Sequence, residues 1–354
     1  MGEKVLMKGN EAIAEAAIAA GCRHFFGYPI TPQTEVAAYM SKRMPKIDGV
    51  YLQAESEVAS INMVLGAGAA GVRVMTSTSS PGVSLMAEGI SYLAGSDVPC
   101  LIVNVQRGGP GLGGIQPSQA DYYQATKSTA HGDFHILVFA PSTVQETVDM
   151  ISTAFDLGDK YRMPAMVLSD GMLGQMMEPV VLPEPREPDN DSKDWAACGH
   201  GGKRKHNVVN SLYINPQDLE DLVVARYKRY EEIKENHQMA EEYLTDDAEI
   251  IIVAYGSSSR VSRSAIDAAR KQGIKVGMIR PITLWPFPEK FIEKHIDHTK
   301  VFLSVEMSMG QMVDDVRLVV NGKVPVEFYG RTGGIIPTPK EVLEQIVKLN
   351  GGVQ

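Results

Sequence analysis

The chain has 354 residues, of which 44% are hydrophobic and 22% are charged, a composition typical of a globular protein of about two domains. Its formal charge of −9 argues against nucleic acid or an anionic membrane as the partner, because an acidic surface offers neither a counter-charge. No segment approaches the roughly 18 uninterrupted apolar residues of a membrane span, and charges occur near the start. We therefore expect a cytoplasmic protein with reduced thiols.

The cysteine content limits which cofactors the chain can hold by itself. Only Cys22, Cys100 and Cys198 occur, and no two of them form a CxxC pair. A [4Fe–4S] cluster normally needs about four thiolates, so any such cluster is expected on a partner chain. We predict no metal site within this chain.

The predicted elements alternate between helix and strand. Residues 9–21 indicate a helix with Asn10 as N-cap and Gly21 as its stop. The elements predicted after it are strand HFFGYP, helix 32–44, strand 49–53, helix 56–70, strand 72–76, helix 81–94, strand 99–105, helix 143–157 and strand 164–169. This alternation is typical of an α/β fold with a parallel sheet.

The alternation stops between residues 178 and 245, where proline-rich and acidic runs precede a highly charged helix near 216–243. We interpret residues 186–245 as a partly helical linker. A second α/β unit follows, with the strand EIIIVAYGSSS, the helix SRSAIDAARKQG and the strand IKVGMIRP. The predicted organisation is therefore a first domain over 1–185, the linker, and a second domain over 246–354.

The stretch Tyr28-Pro29-Ile30-Thr31-Pro32 lies at a predicted strand-to-helix junction, the edge at which parallel sheets bind ligands. Pro32 suits the first position of the next helix and Thr31 suits its N-cap, so a rigid turn is one interpretation. However, GYPITPQTE resembles the YPITP signature of 2-oxoacid:ferredoxin oxidoreductase alpha chains. The resemblance implies that 1–185 is a thiamine pyrimidine-binding domain, in which Thr31 faces substrate and cofactor, while Tyr28, Pro29 and Ile30 contact the cofactor.

Two acidic residues, Glu55 and Glu57, lie at the next strand-to-helix boundary. Acids in a first helical turn often only stabilise the helix dipole, and one of the two is expected to do so. In thiamine enzymes such a glutamate hydrogen-bonds the aminopyrimidine ring and promotes loss of the thiazolium proton. It stands at a set distance before a Gly-Ala pair on the same helix. Gly66-Ala67 has that spacing from Glu57, so we assign the role to Glu57.

Two further stretches extend the resemblance. The run TSTSSPG over 76–82 resembles the TS-x-PG turn of pyrimidine-binding domains, which implies cofactor contacts from Ser79 and Pro81; a well-capped turn is the alternative. Arg107 opens the loop GGPGLGG, and the matching RGGP arginine of the family holds the substrate carboxylate. The implied catalytic residues are thus Thr31, Glu57 and Arg107.

The loop also bears on substrate preference. Gln116 stands where the commoner family form has a hydroxyl beside the substrate side chain, so Gln116 is expected to contact the substrate. Preference for 2-oxoglutarate or pyruvate is therefore not implied. The nearest pattern is the 2-oxoisovalerate (3-methyl-2-oxobutanoate, branched-chain) type.

The second domain resembles the transketolase carboxy-terminal-like domain through its Gly-Ser turn and the run RPITLWPFP. No GDG string for diphosphate and Mg²⁺ occurs in the chain, so the site must be shared. The resemblance implies a beta subunit with thiamine diphosphate, Mg²⁺ and a [4Fe–4S] cluster, often joined by gamma and ferredoxin-like delta subunits. The implied reaction converts a 2-oxoacid, coenzyme A and oxidised ferredoxin to acyl-CoA, CO₂ and reduced ferredoxin.

Other functions remain open at this point. They are a 2-oxoglutarate or indolepyruvate ferredoxin oxidoreductase subunit, half of a split thiamine-dependent decarboxylase, and a non-enzymatic two-domain scaffold without cofactor contact. YPITP together with RGGP favours the ferredoxin-linked family. The chain also lacks the GxxxxGK[ST] loop of a P-loop nucleotide binder.

Overall fold

A computed structural model describes residues 3–127, 129–188 and 193–352. The elements up to residue 188 are β1 (Lys4–Lys8), α1 (Gly9–Ala19), β2 (His24–Gly27), α2 (Thr34–Arg43), β3 (Val50–Gln53), α3 (Glu57–Ala69), β4 (Val74–Thr78), α4 (Pro81–Gly95), β5 (Leu101–Gln106), α5 (Tyr122–Thr126), β6 (Leu137–Phe139), α6 (Val144–Tyr161), β7 (Ala165–Asp170), α7 (Gly171–Gln175) and β8 (Met177–Val181). Those after it are α8 (Pro216–Asn236), β9 (Ala240–Tyr243), β10 (Ile250–Val253), α9 (Gly256–Arg270), β11 (Val276–Pro281), β12 (Thr283–Trp285), α10 (Glu289–Glu293), β13 (Val301–Glu306), α11 (Met312–Val320), β14 (Val326–Gly330) and α12 (Pro339–Gly352).

The first sheet has seven strands in the order β12-β6-β7-β5-β4-β2-β3. All its neighbouring pairs are parallel except β12 with β6. Its central strands β4, β5 and β7 are buried along their whole length, since helices cover both faces of such a sheet. The expected α/β fold with a parallel sheet is confirmed.

The second sheet has five strands in the order β14-β13-β10-β11-β9, and only β9 runs antiparallel to its neighbour. Two strands pair with a sheet other than the one their sequence position suggests. β9 lies in the stretch interpreted as linker, yet it joins the second sheet. β12 follows directly on β11 of the second sheet, yet it pairs with β6 at the edge of the first.

Two predicted helix starts are wrong. Lys8, not Asn10, is the N-cap of α1, and the Asn10 amide instead donates to the Pro32 carbonyl at 2.7 Å and to the Glu35 carboxylate at 2.9 Å. Thr31 does not cap α2 either. The Gln33 N–H closes a turn on the Ile30 carbonyl at 3.0 Å, so the helix begins only at Thr34.

Of the other predicted helix ends, one is confirmed and one is wrong. Gly21 does end α1, with a φ of +86° that favours glycine. The charged helix predicted near 216–243 ends at Asn236, because 240–243 is extended and pairs with β11. Within the described parts of the chain, no helix is both long and apolar enough to cross a membrane.

Candidate functional site

The predicted site residues all follow strands of the first sheet at its carboxyl edge. Four neighbouring parallel strands, β5, β4, β2 and β3, end there side by side. Arg107 follows β5, the 79–82 turn follows β4, the 28–33 turn follows β2, and Glu57 follows β3. This is the edge at which parallel sheets bind ligands.

The 28–33 turn is held to the sheet by Gln33, a fully buried side chain. Its amide donates to the Tyr28 carbonyl at 3.3 Å, and its oxygen accepts from the Ser77 hydroxyl at 2.6 Å. The turn is thereby fixed to the end of β4. Gln33 was not among the predicted site residues, and only its position directly after the YPITP stretch could have indicated it.

The predicted residues of this turn have different exposures. Tyr28, Pro29 and Ile30 are half-buried, whereas the Thr31 side chain is exposed. The Thr31 carbonyl accepts a hydrogen bond from Arg107 at 2.9 Å. The turn therefore presents Thr31 outward and is tied through its backbone to the arginine.

Glu57 is buried at 5% exposure, whereas Glu55 is exposed. The Ser56 hydroxyl caps α3 by accepting from the Ala59 N–H at 3.2 Å, so the helix does not depend on Glu57 for its cap. A buried carboxyl that is not needed for capping is available for a ligand.

Gly82 lies against this carboxyl. A Cβ added at Gly82 would stand 2.8 Å from Glu57 Oε1 and 1.9 Å from Thr78 Oγ1. Only a glycine fits between the two polar side chains. Thr78 and Gly82 were not predicted as site residues. Both belong to the TSTSSPG run that resembles the TS-x-PG turn, although only Ser79 and Pro81 of that run were predicted as cofactor contacts.

The hydroxyl groups of Thr78 and Ser79 are buried and have no hydrogen-bond partner among the described residues. Buried polar groups are nearly always paired, so these two hydroxyls and the Glu57 carboxyl offer hydrogen bonds to a bound group. The aminopyrimidine of thiamine has donors and acceptors around a flat ring, and the residues present fit it. Pro81, the remaining predicted contact, is half-buried at the first position of α4.

Arg107 is the buried cation of the site, at 7% exposure. Its guanidinium donates to the Thr31 carbonyl at 2.9 Å and to the Leu112 carbonyl at 3.1 Å. Within the part of the chain that the structure describes, its Nε has no hydrogen-bond partner and no ion pair includes this arginine. A buried guanidinium without a carboxylate is costly unless an anionic ligand pairs with it.

Ser80 joins the arginine to the 79–82 turn. Its hydroxyl accepts from the Arg107 N–H at 3.0 Å and donates to the Asp121 carboxylate at 2.6 Å. Asn104 donates to the same carboxylate at 2.9 Å. Burial raises the pKa of Asp121, and the hydrogen bonds from Ser80 and Asn104 oppose that rise. Glu57 and Arg107 thus both contact the 79–82 turn, Glu57 beside Gly82 and Arg107 through Ser80.

Gln116 lies at the far end of the glycine-rich loop and is exposed. Its carbonyl accepts from the Gly108 N–H at 2.9 Å, and its Cβ would be 2.4 Å from a Cβ added at Gly334. Gly334 belongs to the second unit. Of the predicted residues, Thr31 and Arg107 are joined directly, Glu57 is joined to them through the turn, and Gln116 lies toward the second unit.

Comparisons with known proteins identify the family of the chain. The family described as pyruvate flavodoxin/ferredoxin oxidoreductase, thiamine diphosphate-binding, matches residues 15–247, and pyruvate:ferredoxin oxidoreductase core domain II matches 248–342. The chain belongs to the 2-oxoacid:ferredoxin oxidoreductase family. The resemblance predicted from the sequence is confirmed, and the chain is an alpha-type subunit of such an oxidoreductase with a thiamine diphosphate-binding domain.

Three relatives illustrate the similarity. The chain is 48% identical to ketoisovalerate oxidoreductase subunit VorB of Methanothermobacter thermautotrophicus, over 98% of both chains. It is 37% identical to 2-oxoglutarate synthase subunit KorA of the same organism, over 99% of this chain and 100% of that one. The 2-oxoglutarate:ferredoxin oxidoreductase of Magnetococcus marinus, solved with 2-oxoglutarate, coenzyme A and succinyl-CoA bound, superposes with a TM-score of 0.87 at 28% identity, and the alignment covers 100% of this chain but 66% of that one.

Proposed function

We propose that the chain forms, with a beta subunit, an enzyme that oxidatively decarboxylates a branched-chain 2-oxoacid, with 2-oxoisovalerate as the preferred substrate. The products are acyl-CoA, CO₂ and a proton, and ferredoxin is reduced in one-electron steps. Arg107 carries the proposal, because its buried guanidinium has no anionic partner among the described residues, at a site whose other polar groups suit an aminopyrimidine. The full-length similarity to a ketoisovalerate oxidoreductase subunit supports the choice of substrate.

Each predicted residue has a proposed role. Arg107 pairs with the substrate carboxylate, since a guanidinium can donate two parallel hydrogen bonds to it. Glu57 holds the pyrimidine ring and moves a proton at its ring nitrogen. Thr31 faces the substrate from the exposed side of its turn, and Gln116 borders the substrate side chain.

The remaining predicted residues contact the cofactor. Tyr28, Pro29 and Ile30 lie against one face of the cofactor, and Ser79 and Pro81 contact it from the neighbouring turn. Thiamine diphosphate, when bound, supplies the carbon nucleophile and the electron sink for decarboxylation. This chain contributes positioning, desolvation and one proton-transfer group.

We assign the other components to partners. A beta subunit would hold the diphosphate, Mg²⁺ and the [4Fe–4S] cluster, and gamma and ferredoxin-like delta subunits would complete the assembly. In this chain Cys22 and Cys100 are buried, and burial raises the pKa of the Cys22 thiol to about 12, so it is inert. Free cysteines suit the cytoplasm, where we propose that the enzyme acts. We also propose domains over 1–185 and 246–354, joined by 186–245.

The test uses the complex reconstituted with its beta subunit, with viologen reduction and acyl-CoA formation as readouts. Glu57→Gln should abolish most turnover, and the exposed Glu55→Gln is its matched control. Arg107→Ala should raise the KM for the 2-oxoacid by about 10- to 100-fold, the worth of a charged hydrogen bond, while exposed Arg317→Ala should not. Wild-type rates in both Glu57→Gln and Arg107→Ala would refute the proposal.

A 2-oxoglutarate preference is the second candidate, because the similarity to the 2-oxoglutarate synthase subunit also spans the chain. A panel of 2-oxoacids separates the two. A higher kcat/KM for 2-oxoglutarate than for 2-oxoisovalerate would favour the second candidate. Release of free aldehyde without acyl-CoA would instead indicate a thiamine-dependent decarboxylase.

A further inference from the structure

The glycine-rich loop after Arg107 is closed at its base. An isolated bridge pairs Arg107 with Pro117, the Gly108 N–H donates to the Gln116 carbonyl at 2.9 Å, and the Gly114 N–H donates to the Gly108 carbonyl at 2.9 Å. A Cβ at Gly113 would stand 1.8 Å from the Gly108 carbonyl oxygen. The loop is therefore a compact turn with a defined tip and is more than a loose connector.

Two large apolar side chains project from this turn. Leu112, at its tip, is 85% exposed, and Ile115 is 57% exposed. The Leu112 carbonyl turns inward and accepts from Arg107, which directs its side chain outward. The Ile115 carbonyl lies 3.6 Å from the position of a Cβ at Gly171, and the Pro32 ring lies 3.1 Å from the same point. The backbone of each residue thus lies beside the Arg107–Thr31 pair, that of Leu112 through its hydrogen bond to Arg107 and that of Ile115 through its position near Pro32.

The charges around the loop are unusual. Arg107 is the only Lys or Arg between Arg73 and Lys127 in the sequence. Arg331, in the neighbouring loop of the second unit, is already ion-paired with Glu341. Among the described residues, these stretches therefore offer one buried cation, Arg107, near two exposed apolar residues, and Arg331 is already paired.

We propose that Leu112 and Ile115 are specificity-determining residues that select a branched aliphatic side chain on the 2-oxoacid held by Arg107. The inference rests on the proposed function and deepens it. A branched alkyl group gains apolar contact with both side chains. The second carboxylate of a dicarboxylic 2-oxoacid would instead lose its hydration beside apolar groups without a compensating cation.

The test compares kcat/KM for 2-oxoisovalerate and for pyruvate in the reconstituted complex. Leu112→Ala and Ile115→Ala should each lower the ratio of the two values by about tenfold, the discrimination that a methylene-sized apolar contact provides. Leu112→Lys should raise kcat/KM for 2-oxoglutarate relative to 2-oxoisovalerate. Leu318→Ala is the control, because Leu318 is 72% exposed on α11 and is not part of the loop.

Failure of the inference is distinguishable from failure of the proposed function. If the wild-type complex uses no 2-oxoacid, the proposed function is wrong. If the wild type is active but the variants keep its substrate ratio, only the inference is wrong. Loss of the beta subunit from Leu112→Ala on gel filtration, or an equal loss of rate with every substrate, would identify the loop as a docking surface and would also overturn the inference.

Discussion

Replacing Gly82 with alanine tests whether the contact between the 79–82 turn and Glu57 positions the carboxyl. The new methyl carbon would lie 2.8 Å from Glu57 Oε1 and 1.9 Å from Thr78 Oγ1, whereas ordinary contact begins at 3.4 Å. The carboxylate oxygen must retreat by about 0.6 Å and the threonine hydroxyl by about 1.5 Å. Because a displacement of about 1 Å at a reacting group can cost about 100-fold in rate, we expect kcat to fall at least about tenfold.

The same substitution should destabilise the chain by about 1–3 kcal/mol, as overpacking does. Thr78→Ala removes the nearer of the two obstructing atoms. Adding Gly82→Ala in that background should therefore cost less stability, while the displacement of Glu57 and the fall in kcat persist. Gly351→Ala is the matched control, since nothing lies within 4 Å of a Cβ there.

The assay is steady-state turnover at saturating 2-oxoacid in the reconstituted complex, which gives kcat, with urea unfolding of the alpha chain measured in parallel. A Gly82→Ala complex with the wild-type kcat would refute the reasoning, because it would show that the carboxyl can move without loss of catalysis. An alpha chain that no longer folds would leave the Thr78→Ala/Gly82→Ala double variant to decide the question.

Three further predictions concern stability. Burial, together with the nearby charges of Lys234 and Lys127, lowers the pKa of His135 from 6.5 to about 4, so the unfolded chain binds more protons between those values. The free energy of unfolding should thus fall by about 2 kcal/mol as the pH drops through that window, and urea titrations of His135→Phe should show a smaller fall. Gln119→Ala should lower the free energy of unfolding by about 2–4 kcal/mol in the same assay, because it leaves the Tyr255 carbonyl, the Ser258 hydroxyl and the Met307 N–H without their partner. The substitution Gln217→Ala, at an exposed position, is the control. Glu306→Gln should cost about 2 kcal/mol and fray α11, because this fully buried carboxyl group accepts from the N–H groups of Gln311, Met312 and Val313. Circular dichroism would detect the lost helix, and an unchanged spectrum and unfolding midpoint would contradict the capping role of Glu306.

Much of the first sheet follows from local sequence. Between residues 24 and 170 each predicted strand is a short apolar run bounded by glycine, proline or a cap residue, and every one is present within a few residues of its expected position. The ends of parallel strands meet at one edge, so the gathering of Thr31, Glu57 and Arg107 at that edge was predictable from strand order alone.

The missed elements depend on pairing between distant parts of the chain. β1 and β8 form a two-stranded sheet, although their partner residues, such as Lys4 and Val181, are far apart in sequence. β12 is three residues long within a proline-rich run, which local pattern favours as a connection. The contact between Gly82 and Glu57 likewise joins two turns, and nothing in either turn alone indicates it.

Two local patterns would mislead without the fold. The string GAGAAG over 66–71 fits a dinucleotide-binding fingerprint, but it lies at the end of α3 and does not open a helix after a strand. His131 and His135 have a spacing used by metal ligands on helices, yet they lie in a loop, where His135 stacks on Trp285 at 4.7 Å. Spacing has chemical meaning only on the element that the motif requires.

The position of β12 has a consequence for any attempt to divide the protein. A chain cut at residue 247, where the two family matches meet, would separate β12 from β6 and leave that strand with an uncovered backbone edge. Open edges of this kind recruit other chains, so an isolated amino-terminal fragment should aggregate. Adding a peptide that spans residues 281–287 would be the direct way to cap the edge and keep the fragment monomeric.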